Sequence, residues 1–228
     1  MSSYDAFARE YAAHAAASPY NAKYERPAMQ GRLGDVRGKR VLDAACAAGE
    51  HAALLLERGA YVVAVDTSAA LIGMVGERFG DAVETHCADL REPLTFLPAD
   101  SIDIVFSSLT MHYLEDWTVA LREFARVLVP GGRVLISTHH PAMTAPLVNG
   151  YFETQLVCEK WRIGERDVDV QFYHRSLETI VAAIVGAGFI VDAIAEPRLM
   201  HPDPAIPAVD YERLSSEPWF IIVDAHAA

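Results

Sequence analysis

Hydrophobic positions in this chain are grouped into short blocks. Arg40-Val-Leu-Asp-Ala44, Tyr61-Val-Val-Ala-Val65, Val83 to Cys87, Ile102-Asp-Ile-Val-Phe106 and Val134-Leu-Ile-Ser137 read as five strands. Between them lie helix-compatible stretches, Glu50 to Arg58, Ala69 to Phe79 and Trp117 to Leu128. Gly59-Ala60 breaks the first, Ser68 is placed to cap the second, and Pro130-Gly131-Gly132 is a turn after the third. Strands that are apolar on both faces and alternate with helices predict a parallel sheet covered on both sides.

The flanks follow other patterns. Tyr4 to Ala17 is Ala-rich, with Tyr4, Phe7 and Tyr11 at helical spacing, and Ser18-Pro19 ends it. Tyr20 to Pro27 and a short amphipathic piece ending at Gly34 complete a helical arm over residues 1–34. After Thr138, Val157 to Ile163 and Val168 to His174 predict a hairpin around Gly164-Glu165-Arg166-Asp167, within an insertion spanning 139–175. Whether its loop has two residues or four, Trp161, Val168, Val170, Phe172 and His174 share one face. Ser176 can cap a helix through Ala187, and Phe189 to Ile194 and Trp219 to Val223 are the last strands. No linker or internal repeat divides the chain, so residues 1–228 are read as one domain.

Composition narrows the function. With 52% hydrophobic residues the chain can bury a core, and 19 basic against 31 acidic residues leave a net charge of −12. That balance disfavours nucleic acid and anionic membranes as partners. Cys46, Cys87 and Cys158 form neither a disulfide framework nor a metal pair. The longest apolar run, Ile180 to Val191, is shorter than the ~20 residues of a spanning helix. Met1 to Phe7 lacks the pattern of a signal peptide, so a cytoplasmic location is expected.

The carboxyl ends of parallel strands are where such sheets bind ligands. There the chain places Ala44-Ala-Cys-Ala-Ala-Gly49 after the first strand, Asp66 after the second, Asp89 after the third and Ser107-Ser108 after the fourth. Small residues let backbone approach a ligand, and a strand-terminal acid can accept from a ribose diol. Together they point to an adenosine-containing cofactor.

Val41-Leu-Asp-Ala-Ala-Cys-Ala-Ala-Gly49, Val65-Asp66-Thr-Ser68, Ala88-Asp89-Leu90, Ile102-Asp-Ile-Val-Phe-Ser107 and Leu128-Val-Pro-Gly-Gly-Arg-Val134 match, in order and spacing, the motifs of a known family. On these residues the chain resembles the class I S-adenosylmethionine-dependent methyltransferases. The resemblance is close from Tyr4 to Thr138 and looser beyond. It implies a Rossmann-like, doubly wound, mostly parallel sheet whose last strands form an antiparallel pair, with the hairpin inserted after the fifth strand. The family has glycines where this chain has Ala45 and Ala47, so a positive φ at either would be costly.

The resemblance implies S-adenosylmethionine as cofactor, S-adenosylhomocysteine as product and no metal. It assigns Asp43 to the loop and the methionine end, Ala45 and Gly49 to backbone contacts, and Asp66 to the ribose with Thr67 beside the adenine. Asp89 would accept from the adenine amino group beside Leu90, and Ser107 would offer backbone to the methionine amine. In the arm, Tyr24 is a further cofactor candidate and Tyr11 a substrate candidate, and the arm is expected to close over the cofactor. His112 and His140, after the fourth and fifth strands, are candidate proton acceptors, because a histidine titrates near neutrality. Tyr113, His139, Trp161, Phe172 and His174 are candidate substrate contacts, the last three on a hairpin face that reads either as packing or as a substrate lid.

The implied reaction is methyl transfer to a small-molecule acceptor, with aromatic or heteroaromatic acceptors such as phenols and indoles favoured by that face. The Asn/Asp-Pro-Pro-aromatic signature of some amino-methylating relatives is absent, Ser107-Ser-Leu-Thr110 standing there. Two alternatives remain open. One is an NAD(P)- or flavin-dependent oxidoreductase, disfavoured by the missing glycine fingerprint and by Glu50 where a pyrophosphate would sit. The other is a non-catalytic cofactor-binding protein. Monomer and homodimer are equally open.

Overall fold

The computed structural model describes residues 3–228, with side chains described from Asp5 onward. Met1, Ser2 and the Tyr4 side chain therefore lie outside the described part. Five parallel strands follow the predicted blocks: β1 (Arg40–Ala44), β2 (Tyr61–Asp66), β3 (Val83–Cys87), β4 (Ile102–Ser107) and β5 (Leu128–His139). A hairpin, β6 (Gln155–Ile163) and β7 (Arg166–His174), forms a separate two-stranded sheet. The last strands, β8 (Phe189–Ala195) and β9 (Phe220–Ala227), join the main sheet antiparallel to β5 and to each other. The order β3-β2-β1-β4-β5-β9-β8 reverses direction between β1 and β4. That switch point opens a crevice beyond the strands' carboxyl ends.

Two helical layers cover the sheet. On one side α2 (Arg26–Arg32), α3 (Glu50–Glu57) and α4 (Ala69–Phe79) contribute Met29, Leu55 and Val75 to a core with Val41, Val62 and Ile104. On the other, α5 (Thr118–Val127) and α7 (Leu177–Gly186) bury Leu121, Phe124, Ile180 and Ile184 against Leu42, Val63, Val105 and Val223. Both predicted caps form. The Ser68 hydroxyl accepts the Leu71 N–H and that of Ser176 accepts the Thr179 N–H.

Several boundaries differ from expectation for identifiable reasons. The Pro130-Gly131-Gly132 turn lies inside β5, because Leu128 already pairs with Ile102 before the register shifts to Ile104 opposite Arg133. The last strand runs on to Ala227, since it is sandwiched between β5 and β8. The hairpin turn has two residues: Ile163 pairs with Arg166, and Gly164 supplies a φ of +59° at the turn's first position. The arm is helical nearly throughout, a 3-10 turn (Ser3–Phe7), α1 (Ala8–Ala17) and a wide π-type turn (Pro19–Glu25) leading directly into α2. Two helices carry no signal strong enough to read. These are α6 (Pro141–Thr144), a single turn, and α8 (Ala208–Ser216), which buries only Leu214. Among the described residues no helix is long and apolar enough to cross a membrane.

Candidate cofactor and acceptor site

The loop after β1 turns back under the ends of β1 and β2. Cys46 N–H donates to the Val65 carbonyl, and Ala47 N–H donates to Asp66 Oδ2 at 3.0 Å. Ala45 and Ala47 sit at φ +64° and +49° and Gly49 at +81°. The alanines thus take the left-handed backbone their lost glycines would have favoured, at a cost of roughly 1–2 kcal/mol each. Glycine is favoured at 49 for a second reason, since a Cβ there would lie 2.8 Å from Phe79 Cε2 and push that ring aside. Its role is to seat α3 against α4, and Gly49 does not line the crevice.

The crevice is a cavity of about 620 Å³, within the usual range for small-molecule sites. Strand order lays its walls out in sequence. Asp89, Leu90 and Arg91 follow β3, Asp66 and Thr67 follow β2, Ala45 to Ala48 follow β1, and Ser108 to Thr110 with Tyr113 and Leu114 follow β4. Tyr11, Ala12 and Ala15 of α1, with Asn21, Glu25 and Arg26, form the side contributed by the arm. Of the residues singled out from sequence, Ala45, Asp66, Thr67, Asp89, Leu90, Tyr11 and Tyr113 are brought together here.

Asp66 is suited to a diol. Oδ1 accepts the Ser68 N–H at 2.9 Å and Oδ2 the Ala47 N–H, so each oxygen keeps a lone pair for a hydroxyl. Burial pushes its carboxyl up, opposed by the N–H groups of Ser68, Ala47 and Thr67. Asp89 is held by Arg91, whose Nε donates to both carboxylate oxygens at 3.0 Å. Those hydrogen bonds lower the Asp89 carboxyl and keep an acceptor at the outer end of the cavity. Glu50 lines the cavity at the start of α3, where a dinucleotide's pyrophosphate would need positive potential. A sulfonium cofactor carrying no phosphate fits these residues; a dinucleotide does not.

Other expected residues are elsewhere. Asp43 is buried beneath the loop and does not reach the cavity; its Oδ2 has no partner among the described residues. Burial, with the Asp66 and Glu25 charges, raises its carboxyl from 3.8 to about 7. Ser107 is likewise buried, and the next residue, Ser108, faces the cavity instead. Tyr24 packs with Leu214 and Phe220, and its hydroxyl donates to the Pro197 carbonyl at 2.6 Å, which removes it from the cofactor side.

The histidine expectations need correction. His140 Nδ1 accepts the Ala142 N–H at the start of α6 and Nε2 lies 3.0 Å from Glu196. It is a helix cap, away from the cavity. His112 and His139 stack at 3.7 Å between centroids, with Phe172 edge-on to both. Burial depresses His112 well below the ordinary range and His139 to about 3, so both are neutral. His174 is buried between Thr144 Oγ1, at 2.5 Å, and the Tyr151 carbonyl. Trp161 and Phe172 do share a face with Val170, as expected, but that face packs on Tyr113 and Val148. His112, His139, His174, Trp161 and Phe172 do not line the cavity, whereas Tyr113, which they pack behind, does.

Glu25, Arg26 and His51, none of them singled out from the sequence, line the cavity together with Ser108. Glu25 Oε1 accepts hydrogen bonds from Ser108 Oγ, at 2.7 Å, and from Ser137 Oγ. His51 Nε2 is 3.1 Å from Ser108 Oγ. The sequence signal of Glu25 and Arg26 is an acid and a base directly before Pro27 in the helical arm, and that of His51 is its place at the start of α3. Among the described residues, no cluster of three or more His, Cys, Asp or Glu is placed to hold a metal.

Comparison with known proteins agrees with this geometry. Residues 42–136 match a family described as a methyltransferase domain. An uncharacterized protein of Haemophilus influenzae is 27% identical over 77% of this chain and 76% of its own length. The malonyl-[acyl-carrier protein] O-methyltransferase of Serratia marcescens is 35% identical over 44% of this chain, and the match spans only 38% of that enzyme. The crystal structure of an S-adenosylmethionine-dependent methyltransferase from Mesorhizobium loti superposes with a TM-score of 0.70 at 26% identity. That match covers 89% of this chain and 97% of the other. The sheet order, the Asp66 loop and these matches agree on a methyltransferase domain over residues 42–136, in a fold shared with S-adenosylmethionine-dependent methyltransferases.

Proposed function

We propose that the protein transfers the methyl group of S-adenosylmethionine to a small-molecule acceptor, aromatic or heteroaromatic in character. The observation that carries this is the continuity of the cavity. The walls around Asp66 and Asp89 run on, past β1, into a region bounded by Tyr11, Ala12, Leu109, Tyr113 and Leu114. Apolar and phenolic walls suit a flat organic acceptor. The net charge of −12 disfavours a phosphate backbone as the acceptor.

When bound, the cofactor supplies an already activated methyl group. The protein's share is alignment and exclusion of water. The arm supplies the cover: Ala8, Tyr11 and Ala12 pack on Ala47, Ala48 and Leu71, and Asp5 accepts the Ser68 hydroxyl at 2.6 Å. The arm also reaches the hairpin, through Glu10 and Arg166 at 2.5 Å. Tyr113 sits between the cavity and the buried His112–His139 stack, which fixes that wall from behind. Burial holds both imidazoles neutral: they stack on each other, and His112 Nδ1 lies 3.4 Å from Thr138 Oγ1. This arrangement suits a nucleophile that needs no histidine to remove its proton.

The test is label transfer from methyl-labelled S-adenosylmethionine to a panel of phenols, aromatic amines and indoles. Acceptor-dependent release of S-adenosylhomocysteine, with label in the panel compound, is the expected result. Label appearing only in protein or RNA of an added cell extract would refute the small-molecule assignment.

A further inference from the structure

The acceptor side of the cavity is a short, irregular wall. After β4 the chain makes a single 3-10 turn, Met111–Tyr113, and Tyr113 and Leu114 line the cavity from it. Its backbone hydrogen bonds are local: Tyr113 N–H donates to the Thr110 carbonyl and Leu114 N–H to that of Met111. A 3-10 turn bonded only within itself has poor hydrogen-bond geometry, so its support must come from behind. Trp117 Nε1 supplies part of that support, donating to the Met111 carbonyl at 2.7 Å.

Arg175 supplies the rest. It directly follows β7, and its Nη2 donates to the carbonyls of Leu114 and of Glu115, the latter at 2.6 Å. The guanidinium lies over the Trp117 ring at 4.9 Å and over the Tyr173 ring at 5.7 Å. The Tyr173 hydroxyl in turn donates to Glu115 Oε2 at 3.3 Å. Stability alone does not account for a cation in this place. Arg175 is 6% exposed, its Nη1 is buried without a partner, and no carboxylate among the described residues forms an ion pair with it. Burial lowers the guanidinium from 12.5 to about 10, against the charges of Asp116, Tyr173 and Glu115, so it stays charged at neutral pH. Two carbonyls and two rings offset that desolvation only in part, and a well-packed apolar side chain would avoid it. An apolar side chain could not grip two consecutive carbonyls.

We propose that Arg175 is a positioning residue through which the hairpin insertion sets the shape of the acceptor wall. By holding the Leu114 and Glu115 carbonyls it fixes where the Tyr113 and Leu114 side chains stand, without lining the cavity itself. The insertion thus acts on the acceptor from one layer away. Val157, Val170 and Phe172 pack on Tyr113, and Arg175 ties down the segment that follows it. The proposal rests on this end of the cavity taking the acceptor.

Arg175→Lys and Arg175→Met, made in the full chain, test it. Lysine keeps the charge but loses the planar group over the two rings; methionine loses charge and donors together. Hydrogen–deuterium exchange over residues 110–115 should quicken roughly tenfold or more in the methionine variant, the scale for losing hydrogen bonds from a charged donor, and less in the lysine variant. Calorimetric affinity for S-adenosylhomocysteine should stay at the wild-type value, since Asp66 and Asp89 follow other strands. With the panel compound that the wild type methylates, KM should rise in the same order of variants and kcat should change less. The proposal is overturned if exchange over 110–115 is unchanged, or if affinity for S-adenosylhomocysteine falls as much as the acceptor KM rises. Exchange that quickens throughout the sheet would also overturn it, because a purely structural arginine predicts that result. A wild type that methylates no panel compound would count against the small-molecule reading alone, and exchange with calorimetry would then decide the role of Arg175. If the methionine variant does not fold, the lysine variant decides. Failure of both to fold would make Arg175 structural only and overturn the proposal.

Discussion

Asp43→Asn should stabilise the protein, and by far more at pH 8 than at pH 5. Asp43 is buried, one of its oxygens has no partner, and two further carboxylates act on it, so its carboxyl is raised from 3.8 to about 7. A group whose folded value is raised favours the protonated folded state. Its contribution is full below the unfolded value, near 3.8, and is lost as pH rises through about 7. A rise of about three units corresponds to roughly 4 kcal/mol in all, of which some 2–3 kcal/mol falls between pH 5 and pH 8. Asparagine carries no proton to lose, so the variant escapes that loss. Urea unfolding at the two pH values measures it. An equal effect of the substitution at both would mean that Asp43 is ionised throughout.

Asp66→Ala should weaken S-adenosylhomocysteine by about 1.5–3 kcal/mol, the range for hydrogen bonds to a charged group. Two causes add. The variant loses the acceptors that would hold the ribose, and it frees the Ala47 and Ser68 N–H groups that keep the loop in place. Ala47 is already in left-handed backbone, so the loop has little reserve. Asp66→Asn keeps one side-chain acceptor and should fall between wild type and alanine. Unchanged calorimetric affinity in a folded Asp66→Ala protein would remove the diol assignment.

Legibility in the sequence follows how local each feature is. The parallel strands announce themselves because burial on both faces leaves continuous apolar runs, as in Val62 to Val65. Asp66 is equally plain, since it ends such a run, whereas Asp89 follows the mostly polar β3 by two residues. Histidines mislead for the converse reason. His112, His139 and His140 all follow strands at the binding edge, and only tertiary packing decides their direction. A stacked pair under Phe172 and a helix cap opposite Glu196 look identical to site residues in one dimension. The arm is the hardest case. Glu25 acquires its meaning from Ser108 and Ser137, separated from it by 83 and 112 positions, and no local pattern encodes that meeting.

The cavity between arm and sheet is suited to an adenosyl cofactor that carries a sulfonium and no phosphate. Hydrogen–deuterium exchange of the wild-type protein, with S-adenosylhomocysteine or with NADH, tests it most directly. S-adenosylhomocysteine should slow exchange in the loop 45–49, around Asp66 to Ser68 and along the arm from Ala8 to Arg26, while NADH should change none of these segments. Protection by NADH in the same segments, or none by S-adenosylhomocysteine, would mean that the cavity is not the site of an adenosyl sulfonium cofactor.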